Sequence, residues 1–200
     1  MANRKEPVKY SFKEVSSELW PAFEALFGEN GACGGCWCQW WRVSKGGKTW
    51  DATKGSPAKK MMKKLFMENR VTGLLAFNGE KAVGWCSYGP RIDYPRLEGM
   101  KAYRREDMTD VTQIWCINCF FIERHYRREG LARMMLEAAV KYIKKRRVKI
   151  IEAYPTPRTK DGQKLPAAFV YTGPLEMFEA AGFKIIQRHS HSRPLVELKL

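Results

Sequence analysis

One short segment of the chain has the composition of an anion-binding site. A buried strand is predicted to end near Ile122, and a short turn leads from it into a helix. Arg127, Gly130 and Ala132 stand at the start of that helix as R-x-x-G-x-A. The first amides of a helix have no acceptor within the helix, and the helix dipole adds partial positive charge there. Small residues let a phosphate approach the backbone, so the segment predicts a pyrophosphate site. The alternative is an ordinary helix start with solvated arginines.

The six cysteines include two C-x-x-C pairs, a spacing found in many zinc sites. Cys116 and Cys119 lie in the apolar run IWCINCFFI, which is typical of a buried strand. Residues three apart on a regular strand face opposite sides, which disfavours a shared metal. Cys33, Cys36 and Cys38 lie in CGGCWCQWW, which is more typical of a packed loop or of a substrate-pocket wall. We therefore expect no metal, and without an export signal no disulfide framework.

Candidates for acid–base chemistry are few. Glu152 lies in the apolar strand KIIEAYP, where a carboxylate is costly to bury without a role or a partner. It is either a general base or the partner of one of the many arginines. Glu123 is the second candidate for the base, although we expect it to point to solvent, and His125 is expected at the surface. His189 and His191 form no nucleophilic constellation.

The elements that position these residues follow from apolar periodicity and turn signals. Asn78-Gly79 between two apolar runs predicts a tight hairpin. Strand, amphipathic helix and strand over residues 113–154 predict a βαβ unit with parallel strands. Residues 90–111 are predicted to form a long loop. Predicted strands cover residues 8–13, 73–77, 81–89, 113–122, 148–154, 183–188 and 195–198, and predicted helices cover 16–27, 56–69, 130–146 and 173–181.

The composition predicts one folded domain over residues 1–200. The chain is 44% hydrophobic and has 36 Lys and Arg residues against 21 Asp and Glu, a net charge of +15. No apolar run reaches the ~20 residues that a membrane span needs. The first residues lack the apolar stretch of a signal peptide, so we expect a cytoplasmic protein. The charge favours an anionic partner, either a nucleic acid or a phosphorylated ligand.

The order of these elements resembles the GNAT superfamily of acetyl-CoA-dependent N-acetyltransferases. The matching segments are 119–137, with R-x-x-G-x-A, then 149–154, and then 171–186, with A-G-F before a strand. The segments CWCQWWR and WCSYGPRIDYPRL are also similar to a bacterial GNAT-like group of unassigned substrate. The resemblance covers nearly the whole chain. It implies an α/β (α+β) fold, with a mixed, mostly antiparallel sheet of six to seven strands, a central parallel pair splayed by the cofactor, and about four flanking helices.

The resemblance implies that acetyl-CoA binds along this splayed pair. The main chain at the end of the fourth strand would pair with the pantetheine arm, through Phe120, Phe121 and Ile122. The amides that follow would bind the pyrophosphate. These belong to Arg127, Arg128, Glu129, Gly130, Leu131, Ala132 and Arg133.

The chain departs from the family at the residue that protonates the leaving thiolate. Many GNAT proteins have a tyrosine four residues before the glycine of the G-F pair, and here that position is Phe178. Tyr171 and Tyr154 are the candidate replacements. Alternatively the thiolate leaves unaided, because a thiol pKa near ~8.5 makes protonation undemanding.

The tryptophans predict an aromatic acceptor pocket, which suits an apolar or a cationic ligand. We expect Trp37, Trp40, Trp41 and Trp85 in its walls, and Trp37 and Trp85 in contact with the substrate. Asn118 and Tyr154 are expected to contact the substrate from the central strands; for each of them, packing or satisfying a neighbour is the alternative.

The leading functional prediction is acetyl transfer from acetyl-CoA to a primary amine of a small molecule or peptide, by direct attack in a ternary complex. A lysine-type amine, with a pKa of ~10.4, is mostly protonated at pH 7, so a base is needed. Glu152 is the first candidate for the base and Tyr171 for the acid. The alternatives are a non-catalytic acyl-CoA-binding or regulatory module and a nucleic-acid-binding protein. The sequence leaves open a monomer or a homodimer.

Overall fold

The chain folds around one seven-stranded sheet. The structure, a computed structural model, describes residues 9–44, 46–159, 161–163, 165–188 and 193–200. The order across the sheet is β1-β2-β3-β4-β5-β7-β6, and only β4 and β5 pair in parallel. This mixed, mostly antiparallel sheet confirms the predicted fold class. The strands are β1 (Tyr10–Glu14), β2 (Gly73–Asn78), β3 (Lys81–Pro90), β4 (Ile114–Ile122), β5 (Ile150–Ala153), β6 (Lys184–Gln187) and β7 (Leu195–Lys199).

Six helices lie among the described residues, two more than predicted. They are α1 (Trp20–Phe27), α2 (Lys48–Thr53), α3 (Ser56–Met67), α4 (Arg96–Gly99), α5 (Leu131–Lys144) and α6 (Leu175–Ala180). The four predicted helices correspond to α1, α3, α5 and α6, whereas the short α2 and α4 lie in segments predicted as connections. No described helix is long and apolar enough to cross a membrane.

Helices cover both faces of the sheet, because each carries an apolar stripe at helical spacing. The stripe of α5, which includes Leu131, Met135 and Ile143, packs on the strands from β2 to β5. On the opposite face α1 and α3 bury aromatic residues such as Phe23 and Phe66 against β2 and β3. The central strands are therefore enclosed on both faces, as their nearly continuous apolar sequences require.

The central parallel pair is short, and its strands part. β4 and β5 pair only from Ile114 with Ile150 to Ile117 with Ala153. At this point β4 also contains a bulge, since Tyr88 of β3 pairs with Ile117 and Ser87 with Cys119, which leaves Asn118 unpaired. An extra residue of this kind bends a strand and interrupts its alternation. The second half of β4 thus has β3 on one side and no strand on the other.

The segment after β3 is packed down rather than free, which corrects the prediction of a long loop. It contains a 3-10 turn, Arg91–Asp93, and then α4. Tyr94, Leu97 and Tyr103 are buried in a third apolar cluster with Trp41 and Tyr154. This cluster lies where β4 and β5 part, so the segment helps to shape the space between them.

Candidate active site

A cleft of about 850 Å³ opens where β4 and β5 part. One side is the free half of β4, and the other consists of described residues from the chain that follows β5, among them Thr156 and Glu176. The start of α5 closes one end. The described residues lining it are Ala32, Cys33, Phe120, Phe121, Ile122, Arg127, Arg128, Ala132, Thr156, Pro157, Arg158, Leu165, Ala168, Val170, Tyr171, Gly173, Pro174 and Glu176.

The turn before α5 presents unpaired main-chain donors at this end of the cleft. The N–H groups of residues 128–132 have no acceptor among the residues that the structure describes, whereas the next one, that of Arg133, donates to the Gly130 carbonyl. Arg128 and Gly130 have φ values of 67° and 80°, in the left-handed region. Left-handed residues in a turn make successive N–H groups converge into an anion-binding nest. The predicted pyrophosphate segment therefore has a suitable backbone conformation.

Some side chains of this segment line the cleft, and others contact residues elsewhere in the protein. Arg127, Arg128 and Ala132 line the cleft. Leu131 is buried in the α5 core, so it can offer only its main chain. The carboxylate of Glu129 accepts a hydrogen bond from the Tyr10 hydroxyl. Arg133 pairs with Glu137 one turn along α5.

The predicted pantetheine-binding residues, Phe120, Phe121 and Ile122, all line the cleft. On the cleft side, away from β3, two of their main-chain groups already have partners. The Phe120 amide donates to the Tyr171 carbonyl at 2.6 Å, and the Ile122 carbonyl accepts from Nε of Arg127 at 2.8 Å. The free half of β4 thus points donors and acceptors into the cleft, as an added extended chain would need.

A second, smaller cavity of about 300 Å³ adjoins the cleft. Six residues line both, which makes the two spaces contiguous: Ala32, Cys33, Phe120, Phe121, Ala168 and Tyr171. Its other described walls come from α1, from the segment between α1 and α3, from β4 and from the chain before α6. They are Phe27, Cys36, Cys38, Trp40, Trp41, Trp50, Cys119 and Phe169.

The structure does not bring Trp37 and Trp85 to either cavity. Both indoles are buried in the core beneath α1 and α3, where Trp37 stacks on Trp20 and Trp85 meets Phe23 edge-on. Their aromatic character therefore serves packing. Trp40 and Trp41, which were also expected in the pocket walls, line the second cavity together with Trp50. Trp50 lies in α2, in a stretch whose sequence is typical of a polar connection.

Glu152 is the centre of a buried charge cluster and lines neither cavity. Its side chain is 0% exposed. It forms ion pairs with Arg91 and, at 3.2 Å, with Arg105, and it accepts hydrogen bonds from the Tyr154 hydroxyl and, at 3.3 Å, from the Cys116 thiol. Of the two sequence-based alternatives for Glu152, this geometry favours the ion pair. Tyr154, predicted to contact substrate, is fully buried in the same cluster.

The same two arginines anchor the segment that follows β3. Arg91 also donates to the Tyr103 carbonyl and pairs with Glu98, and Arg105 also pairs with Asp107 and with Glu197 of β7. The cluster therefore joins residues 91–107 to β5 and β7.

Of the remaining candidates Tyr171 lies at the site, whereas Asn118 lines neither cavity. Asn118 is fully buried at the bulge, and its side-chain amide has no partner among the described residues, although its carbonyl accepts from the Trp41 indole at 2.9 Å. Tyr171 lines both cavities, and burial raises the pKa of its hydroxyl, so it is protonated at pH 7. Phe178 is core, packed edge-on against Phe120 and Phe183.

The other candidates lie apart. Glu123 pairs with Lys81 and His125 at the protein surface, away from the cavities. His189 and His191 lie outside the described residues.

The thiols of the second cavity form a connected group. The bulge places Cys116 and Cys119 on the same face of β4, which corrects the expectation of opposite faces. Their neighbours Ile117 and Phe120 both pack toward α5, so the two cysteines both face the other way.

Cys38 Sγ accepts a hydrogen bond from the Trp85 indole at 3.2 Å. The Cys119 thiol, the Trp85 indole and Ser87 lower the pKa of Cys38 to about 7 despite burial. Among the described residues no group of three or more His, Cys, Asp or Glu side chains could hold a metal.

Comparison with known proteins agrees with this architecture. The sequence profile of the Acetyltransferase (GNAT) family matches residues 36–165, more than half of the chain. The chain belongs to the GNAT family. No curated protein sequence matches the chain.

Solved GNAT structures share the fold at low sequence identity. A GNAT acetyltransferase from Streptococcus pneumoniae superposes with a TM-score of 0.55 at 14% identity, covering 96% of this chain and 99% of that one. Ribosomal-protein-S5-alanine acetyltransferase from Vibrio fischeri gives 0.54 at 11%, covering 100% and 96%. An acetyltransferase from Thermus thermophilus gives 0.53 at 13%, covering 98% and 100%. At these identities the likeness establishes the fold alone.

The first prediction concerns the buried carboxylate. Glu152→Gln should lower the free energy of unfolding in urea by about 3–5 kcal/mol, because two buried arginines lose their common counter-charge. Glu98→Gln is the matched control, since Glu98 also pairs with Arg91 but its side chain is 56% exposed, and it should cost about 1 kcal/mol or less. A variant of normal stability that has lost its turnover would instead restore Glu152 as the base.

The second prediction concerns Cys38. Burial raises the pKa of Cys36 to about 11, whereas that of Cys38 is lowered to about 7. In a Cys33→Ser background, iodoacetamide at neutral pH should therefore modify Cys38 before Cys36, because the thiolate is the nucleophile. The rate, followed by peptide mass spectrometry, should rise with pH through about 7 and then level off. Modification of Cys36 first would contradict the assignment, and Cys38→Ser is the control.

Proposed function

We propose that this chain transfers an acetyl group from acetyl-CoA to a primary amine of a small molecule or peptide, by direct attack with both substrates bound. One observation carries the proposal: five consecutive amides at the start of α5, with no acceptor among the described residues, lie at the end of a cleft between two parted strands. Such amides bind phosphate groups. The free thiols of all six cysteines support a location in the reducing cytoplasm.

The residues present fit the cofactor. Arg127 and Arg128 add positive charge beside the unpaired amides, and Arg158 lines the cleft from the opposite side. Along the free half of β4, the pantetheine arm would replace Arg127 at the Ile122 carbonyl. The thioester oxygen would replace the Tyr171 carbonyl at the Phe120 amide. When bound, acetyl-CoA supplies the acetyl group as an activated thioester.

The chain's own groups would then position the reaction. The acceptor amine would lie in the second cavity, which opens into the cleft beside Phe120 and Tyr171. We assign the Phe120 amide as the donor that stabilises the developing oxyanion, and Tyr171 as the donor of a proton to the departing thiolate.

A second candidate function is acyl-CoA binding without catalysis. Phe178 takes the position of the usual acid and is fully buried, and the carboxylate of Glu152 is held by arginines. Calorimetry with acetyl-CoA, followed by assay of thiol release with a panel of amines, separates the two. Binding with thiol release on an amine supports the enzyme, and binding with none supports the module.

Gly130→Glu should abolish binding of acetyl-CoA, with a loss of at least ~100-fold in calorimetry, because a carboxylate at the nest repels phosphate. Gly79→Glu is the matched control. Both glycines have positive φ, 80° and 60°, and open space where a Cβ would stand, but Gly79 is in the β2–β3 turn. Equal affinity of the two variants would exclude the pyrophosphate assignment.

Tyr171→Phe should lower kcat by about 10²-fold and leave KM nearly unchanged, because only the proton donor is lost. Tyr103→Phe is the control, since Tyr103 lies in the same aromatic cluster but lines neither cavity. Steady-state kinetics measures both. An unchanged kcat in Tyr171→Phe would show that the thiolate leaves unaided.

A further inference from the structure

The second cavity has walls of unusual chemistry for an amine site. Its described lining consists of aromatic rings, cysteines and two alanines, and no acidic side chain is among them. Eight of the fourteen lining residues are aromatic: Phe27, Trp40, Trp41, Trp50, Phe120, Phe121, Phe169 and Tyr171. Sites that bind ammonium groups use carboxylates or open aromatic faces, and the first of these is missing from the described walls.

Two of these aromatic rings, those of Trp40 and Tyr171, already carry an arginine on one face. The guanidinium carbon of Arg96 lies 3.8 Å from the ring centroid of Trp40, and that of Arg193 lies 4.8 Å from that of Tyr171. A second positive charge entering the cavity would therefore meet two fixed ones. The Cys38 sulfur does not offset them, because it already accepts a hydrogen bond from the Trp85 indole.

Apart from the buried, hydrogen-bonded Cys38 thiol, the described walls also lack a group that could deprotonate an ammonium ion. The carboxylate of Glu152 is enclosed by Arg91 and Arg105. Glu176 lines only the larger cleft and is paired with Arg158. An amine that is protonated in water would have to lose its proton before it entered.

We infer that the acceptor is a neutral, flat aromatic amine of one or two rings. This inference rests on the proposed function and specifies its substrate class. The nitrogen lone pair of such an amine is delocalised into the ring, so the amine is uncharged at pH 7 and needs no base before it attacks. Its ring matches the aromatic walls, and a cavity of about 300 Å³ is at the small end of ligand pockets.

The test compares two probes that share a ring system and differ in charge. 2-Aminonaphthalene is neutral at pH 7, whereas 2-(aminomethyl)naphthalene is cationic. Calorimetry with the full chain, in the absence of acetyl-CoA, should show the neutral probe binding at least ~10-fold more tightly. Equal or tighter binding of the cationic probe, or binding of spermidine with comparable affinity, would overturn the inference.

A substitution in the cavity wall tests whether the aromatic amine binds in the second cavity. Phe169 lines the second cavity and is 59% exposed, so Phe169→Ala should fold normally and weaken binding of 2-aminonaphthalene by about 5- to 10-fold through lost ring contact. Ile92→Ala is the control, since Ile92 is similarly exposed and lines neither cavity. Unchanged affinity in Phe169→Ala would show that the amine does not occupy this cavity.

These experiments distinguish a failure of the acceptor assignment from a failure of the proposed acetyl transfer. If acetyl-CoA binds and 2-aminonaphthalene does not, the acceptor class is wrong and the proposed acetyl transfer stands. If acetyl-CoA does not bind, the proposed function fails, whatever the naphthalene probes show.

Discussion

The buried carboxylate of Glu152 holds together the parts that make the site. Three strands and a long connection meet at this group: β5 carries it, β4 adds the Cys116 thiol, β7 joins through Glu197 and Arg105, and Arg91 ties in the chain after β3. Two charges removed from water are tolerated only with good geometry and full hydrogen bonding. The cluster meets this condition, and it fixes the segment that supports Trp40 and Trp41.

Trp40 and Trp41, which line the second cavity, are also held by contacts of their own. Arg96 of α4 donates to the Trp40 carbonyl and stacks on its ring, and the Trp41 indole donates to the Asn118 carbonyl at the bulge. The irregular chain between α1 and α3 is therefore held from both sides. These contacts explain how a chain segment with little regular secondary structure can form a well-defined wall of the second cavity.

Much of the fold could be predicted from local pattern. The Asn78-Gly79 turn, the apolar run of β4 and the R-x-x-G-x-A helix start are signals contained within a few residues, and the structure confirms the elements they predict. The cavity-lining residues are set by contacts distant in sequence. Nothing near Glu152 in the sequence names Arg91 or Arg105 as its partners, and nothing near Trp37 shows that its ring would stack on Trp20. A single extra residue at Asn118 also reversed the expected facing of Cys119, because alternation holds only while pairing is regular.

The hydrogen bond from the Phe120 amide to the Tyr171 carbonyl has a consequence for the protein without its ligands. Beyond the point where β4 and β5 part, one side of β4 has no neighbouring strand. Exposed strand edges can pair with other protein chains and so cause aggregation. Tyr171 covers one donor of this edge and Arg127 covers one acceptor. These two contacts within the chain therefore cover part of the unpaired strand, and any added strand, from a ligand or from a second protein chain, would have to displace them.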